Sequence, residues 1–168
     1  MTDLTGLAKQ QLGRIKVLLN NAGLKYYDIP NDLFGAGVAV GFGENEYIIL
    51  SVMGGGMESH LLLTCGILKS IKQDRLAALE ACNSFNKSNT AYPVFLHDAK
   101  TGWAIIMQQT LPIDVLVESL EYFATLVRSL PQIAKDYRNT LGEDQQLSGQ
   151  PWVWNDEDLD SLLIRSML

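Results

Sequence analysis

The chain reads as an α+β protein with the order helix, three strands, helix, two strands, helix and then a tail. Three observations predict this. Apolar residues recur at helical spacing around residues 3–22, 74–90 and 112–141. Between those stretches lie short extended runs joined by turn signals, so the strands pair as antiparallel hairpins instead of winding through crossover helices. Several of those runs are apolar at consecutive positions: Ile48, Ile49 and Leu50, then Leu61, Leu62 and Leu63, then Ala104, Ile105, Ile106 and Met107. A sheet with one wet face alternates apolar and polar residues, so both faces of this one must be partly covered. Helices cover one face. The other needs the tail, a second subunit or a ligand.

The elements follow in order. Leu4, Leu7, Ala8, Leu12, Ile15, Leu18, Leu19 and Ala22 form one amphipathic stripe, and Gly23 is placed as a left-handed cap. Residues 25–30 suit a short strand before the Pro30, Asn31, Asp32 turn. From 33 to 42 the pattern alternates. Val38, Val40 and Phe42 make a bulky face, and Gly35, Gly37, Ala39 and Gly41 a nearly bare one. Gly43, Glu44 and Asn45 turn the chain into a return strand over 47–52. Gly54, Gly55 and Gly56 make a flexible connection to a third strand over 59–68.

The central helix spans about 74–90. Leu76, Leu79, Cys82 and Phe85 recur along it, alanines fill the gaps, and Asp74 is placed to cap its first turn. Asn83, Asn86 and Asn89 lie three apart. They form either a polar recognition stripe or a set of backbone ties from the helix end to the next strand; the second is the commoner use of side-chain amides. A second hairpin joins 93–97 to 103–110. Pro112 opens the last long helix, and Pro131 is expected to kink or break it before it continues to about 141. Residues 142–150 read as a polar linker. The remainder carries Trp152 and Trp154, then a short helix pattern through Leu159, Leu162 and Leu163.

Composition removes several function classes. A length of 168 residues suits one domain with a real core, and 47% hydrophobic against 19% charged residues describes a folded chain. The net charge is −6. From Glu143 onward there are six acids and one base, so the acidity belongs to the tail. With no basic run, nucleic acid and anionic membrane are disfavoured as partners. No apolar run reaches the roughly 18 residues of a membrane span. The first residues lack the pattern of a secretory signal, and two separated cysteines in apolar settings suit a reducing cytoplasm.

Signatures of chemistry are sparse. His97 and Asp98 are adjacent on a strand and point to opposite faces, so they form no dyad. No HExxH or Cys/His cluster points to a metal. The glycines at 35–43 do not match a dinucleotide fingerprint, and those at 54–56 lack the residues of a phosphate loop. No catalytic residue, cofactor or metal ligand is therefore assigned. A pairing of Cys65 or Cys82 with a distant histidine stays open against the commoner buried structural thiol.

The segment DRLAALEACNSFNKSNTAYPVFLHDAKTGWAIIMQQTLPIDVLVESLEYF, with Asn83 and Asn86 as a spaced asparagine pair before a hairpin and a final amphipathic helix, resembles the YbjN-like proteins. The element order is similar to that of the type III secretion chaperone fold, and related proteins occur in cyanobacteria. The resemblance covers about 4–141. It implies a two-layer domain over 1–141 with a five-stranded antiparallel sheet, followed by an acidic, tryptophan-bearing tail with a short helix over 142–168. Relatives in secretion are dimeric chaperones that hold non-globular client segments, and YbjN-like proteins are linked to regulation.

The expected function is a non-enzymatic cytoplasmic module that binds a protein or peptide client, chaperone-like or regulatory, with a homodimer as a further option. Tyr47, Trp103, Trp152 and Trp154 are its candidate anchors, since aromatic side chains dominate interface energetics. The alternative is a small-molecule sensor or enzyme with a pocket between sheet and helices, lined by His60, Cys65 or His97.

Overall fold

Helical spacing and turn chemistry place α1 at Leu4–Asn21, β1 at Tyr26–Ile29, β2 at Gly35–Gly41, β3 at Tyr47–Met53 and β4 at His60–Ile71. There follow α2 at Arg75–Ser88, β5 at Val94–Ala99, β6 at Gly102–Pro112, α3 at Ile113–Val117, α4 at Leu120–Glu143 and β7 at Gln150–Pro151. The computed structural model describes residues 4–29, 35–43, 46–53, 59–99 and 102–152. Trp154 and the short helix pattern after it lie outside the described residues.

The fold class is α+β. The strands are hydrogen-bonded in the order β1-β2-β3-β4-β6-β5, and β7 pairs with β4. The described sheet has seven strands where five were expected. The additional two are β1, a four-residue partner for β2 where residues 25–30 suited a short strand outside the count of five, and β7, two residues with no strand pattern of their own. The described residues gather into two compact units. Unit 1 draws on the described residues within 4–63 and 110–129, and unit 2 on those within 64–109 and 130–152.

In unit 1 the apolar stripe of α1 lies against β2, β3 and α3, burying Ala8, Leu12, Ile15, Leu18 and Leu19. Each of the leucine and isoleucine side chains contributes about 1.5–3 kcal/mol when fully buried. Gly23 closes the helix at φ +68, where a Cβ is strained. Its amide donates to Asn20 O at 3.0 Å and the Leu24 amide to Leu19 O at 3.0 Å, satisfying carbonyls the helix end would leave open. In the β2–β3 hairpin Val38 opposes Leu50 and Val40 opposes Ile48. Val38, Ala39 and Val40 are all buried, so both faces of β2 are covered, as the consecutive apolar residues of its partner strand require.

The break in the last helical stretch falls at Glu118 and Ser119, between α3 and α4, and not at Pro131. Ser119 starts α4 by accepting the Tyr122 amide on its Oγ at 3.2 Å. α4 then runs through Pro131. Leu126, Val127, Leu130 and Ala134 are buried around it, and tertiary burial outweighs the lost backbone bond. The boundary between the two units falls beside this proline, after Ser129.

Unit 2 is built on α2 and the β5–β6 hairpin. Asp74 Oδ1 caps α2 by accepting the Ala77 amide at 2.8 Å. The buried face of α2 is Ala78, Ala81, Cys82 and Phe85, while Leu76 is 66% exposed. A spacing of three residues drifts off a helix face that turns every 3.6, so Leu76 rotates out to solvent. Asn86 ties the helix to β5: its Nδ2 donates to Val94 O and its Oδ1 accepts the Val94 amide, both at 2.9 Å. Asn89 turns back to Phe85 O, and Asn83 is exposed.

Candidate partner-binding site

β5 ends the strand order, so one of its edges is not covered by another described strand. Gln108 N–H donates to Pro93 O, which sets the register: residues 95 and 97 turn their backbone groups to β6, and 94, 96 and 98 turn theirs outward. Asn86 fills the first outward slot, bonding Val94 as a neighbouring strand would. The backbone of Leu96 faces outward beyond it.

The side chains divide between two faces. Phe95 opposes Ile106 and His97 opposes Ala104, so these four share one face. Gln108, two residues from Ile106, donates to Thr64 Oγ1 at 3.5 Å, which puts Thr64 and therefore Gly66 on the same face. Trp152 seats there. It is 6% exposed and its ring stacks on His97, with centroids 6.3 Å apart and planes at 26°. A Cβ on Gly66 would stand 2.6 Å from Trp152 O and 3.1 Å from its Cγ, so glycine lets the Trp152 backbone come this close and leaves room for the ring beside it.

Arg138, on α4, holds this seat from the backbone side. Its guanidinium donates to Ile67 O at 3.1 Å, to Gly66 O at 3.0 Å and to Trp152 O at 3.3 Å, while the Trp152 amide donates to Ile67 O at 3.0 Å. Farther back along the chain, the Lys72 amide donates to Ser148 O at 3.1 Å, and Gln73 both accepts the Ser148 amide and donates to the Ser148 hydroxyl. Residues 147–152 thus lie extended along β4. The tail covers part of its own sheet, and at Trp152 it does so as a side chain in a fitted slot.

The other candidate anchors sit elsewhere. Trp103 opposes Asp98, which places it on the face away from His97 and Trp152; it is half-buried beneath the Arg75 guanidinium, 5.9 Å from its ring centroid. Tyr47 belongs to unit 1. It meets Tyr27 edge-on at 6.0 Å, and both rings lie beside Gly41. Phe95, missed in the sequence, is 45% exposed on β5 beside the occupied seat.

The residues of the pocket alternative do not converge within unit 2. Cys65 precedes Gly66, so it points to the face opposite His97, and it is buried. Cys82 is buried as well, and burial pushes its thiol up to about 11. Burial, followed by the charge of Tyr92, also raises the Tyr137 hydroxyl, whose ring packs edge-on against Phe85 at 4.6 Å. His60 is half-buried in unit 1. A shallow depression of about 540 Å³ in unit 1 is lined by Asn20, Gly23, Leu24, Lys25, Tyr26 and Tyr27, none of them a residue of that alternative. Among the described residues, no three His, Cys, Asp or Glu side chains are grouped to hold a metal ion, and no helix is long and apolar enough to cross a membrane.

This architecture is of the α+β class, with helices and an antiparallel sheet. More specifically, the fold is YbjN-like. The chain is similar to the crystal structure of YbjN from E. coli, a candidate transcription regulator, at a TM-score of 0.55 and 15% sequence identity, over 81% of this chain and 93% of that one. No protein-family model and no curated protein sequence matches the chain.

Proposed function

We propose that the chain is a non-enzymatic module that binds a protein or peptide, chaperone-like or regulatory in its use. The observation that carries this is the edge of β5, where an outward-facing backbone at Leu96 lies beside the exposed ring of Phe95. An extended client pairs with such an edge through its main chain and finds side-chain specificity in the adjacent aromatic. The opposed faces of Cys65 and His97, and the raised Cys82 thiol, support a role without covalent chemistry. The regulatory form takes support from the description of YbjN, and an overall charge of −6 favours regulation through protein contacts over direct contact with nucleic acid. A second copy of the chain is one partner proposed for the β5 edge, and a reducing cytoplasm is the compartment that suits two buried thiols.

Selection from a random-peptide library tests the reading. The wild-type chain should enrich extended, apolar sequences, and their affinity should fall at least tenfold in Phe95→Lys. Failure to enrich any sequence, or binders indifferent to Phe95→Lys and to Leu96→Pro, would remove β5 as the binding edge.

A further inference from the structure

We propose that the seat over Gly66 is itself a recognition site for an extended aromatic segment of a partner, and that residues 147–152 are its resident occupant. The inference rests on the binding-module reading and names what the sheet of unit 2 binds.

The resident segment buries its two end side chains and leaves its middle exposed, bonded to the strand mainly through its backbone. Leu147 and Trp152 are buried, while Ser148, Gly149, Gln150 and Pro151 are exposed. The strand pairing between them is two residues long, Leu68 with Pro151 and Lys69 with Gln150. So short a pairing, with exposed residues between its anchors, opens locally at a free energy below that of global unfolding. Its contacts also describe a partner. Leu147 supplies an apolar anchor. At Gly149 a Cβ would stand 3.2 Å from Lys69 O and 3.3 Å from Ile71 Cγ1, so that position favours a small residue. Trp152 supplies the large ring over Gly66.

Between those anchors the recognition is chiefly of main chain: Lys72 and Gln73 read the Ser148 carbonyl and amide, Gln73 also meets its hydroxyl, and Arg138 reads the Trp152 carbonyl. The matching partner is an extended segment with an apolar residue, a small residue two positions later and a tryptophan or similar ring three positions after that. A tethered occupant competes at an effective concentration of about 1 mM for a short linker. The closed chain therefore answers only to a partner that adds contacts elsewhere, and the neighbouring edge of β5 is placed to provide them.

The test uses a fluorescent peptide of residues 146–153 as probe and the full chain as receptor, either intact or cut after folding at a protease site inserted after Glu143. Fluorescence anisotropy should show the cut chain and the Trp152→Ala chain binding the probe at least tenfold more tightly than intact wild type. Adding Gly66→Ala to the cut chain, or replacing the tryptophan of the probe by alanine, should abolish that binding. Should Trp152→Ala fail to fold, mass spectrometry of the cut chain gives the same answer, because an isotope-labelled probe should replace the resident segment. No exchange in the cut chain, or exchange untouched by Gly66→Ala, overturns the proposal. Retained library binding that depends on Phe95 would in that case leave the β5 reading standing.

Discussion

Trp152 lies directly over Gly66, so close that a Cβ there would stand 2.6 Å from the Trp152 carbonyl oxygen and 3.1 Å from the indole Cγ. Substituting Gly66→Ala forces either the ring or the strand to move, and overpacking of this kind destabilises by about 1–3 kcal/mol. Chemical denaturation should register that loss. Tryptophan emission should shift to the red in the folded variant as Trp152 leaves its slot. Unchanged stability and emission would mean that the indole does not occupy this seat.

Arg138 addresses three carbonyl oxygens, on Gly66, Ile67 and Trp152. Arg138→Met keeps most of the stem and removes every donor. With part-buried acceptors left open, a destabilisation of about 2 kcal/mol is expected. Arg138→Lys should recover less than half of it, because an ammonium group does not reproduce a planar fork of donors. Full recovery by lysine would show that charge, and not the fork, holds the seat.

Asn86 and Asn83 offer a matched comparison on one helix. Asn86→Ala removes both bonds to Val94 and uncovers the first outward slot of β5, so about 1–3 kcal/mol should be lost and self-association through the edge should rise. Asn83 is exposed, and Asn83→Ala should change stability by less than about 0.5 kcal/mol. Thermal melts with light scattering check both. Equal effects at the two positions would contradict the strand-mimicking role of Asn86.

Burial raises the Cys82 thiol from 9.0 to about 11. The unfolded chain releases this proton first as pH rises, so folding stability that is intact below 9 falls as pH climbs from 9.0 towards 11. Tyr137, raised for the same leading reason, adds to the decline at the upper end of that window. A thiol reagent at pH 8 should modify neither cysteine of the native chain at an appreciable rate and both after unfolding. Rapid modification of Cys82 in the native chain would place that thiol at the surface.

Much of this architecture is legible in the sequence, because local physics fixes it. Gly23 after an apolar stripe, Asp74 before one and the asparagines at the end of α2 each act within a few residues, and each does what its chemistry favours. The consecutive apolar strands required cover on both faces, and Val38, Ala39 and Val40 are covered. What escaped the reading depends on distant partners. Pro131 breaks a helix by propensity, yet α4 is carried through it by buried neighbours. The real break had a signal in Ser119, a capping residue inside the apolar pattern. Gly66 had one too: a glycine in the middle of an apolar strand marks a close approach by something else. Nothing local to Arg138 says that its donors go to β4, since the residues it joins are 71 and 72 positions away in sequence.

The most direct measurement is nuclear Overhauser contact between the Trp152 indole and the α protons of Gly66 in isotope-labelled full-length chain. Strong contacts to Gly66 and to the His97 ring are the expected result. An indole with solvent-like shifts and no contact to either residue would contradict the existence of an occupied aromatic seat on β4.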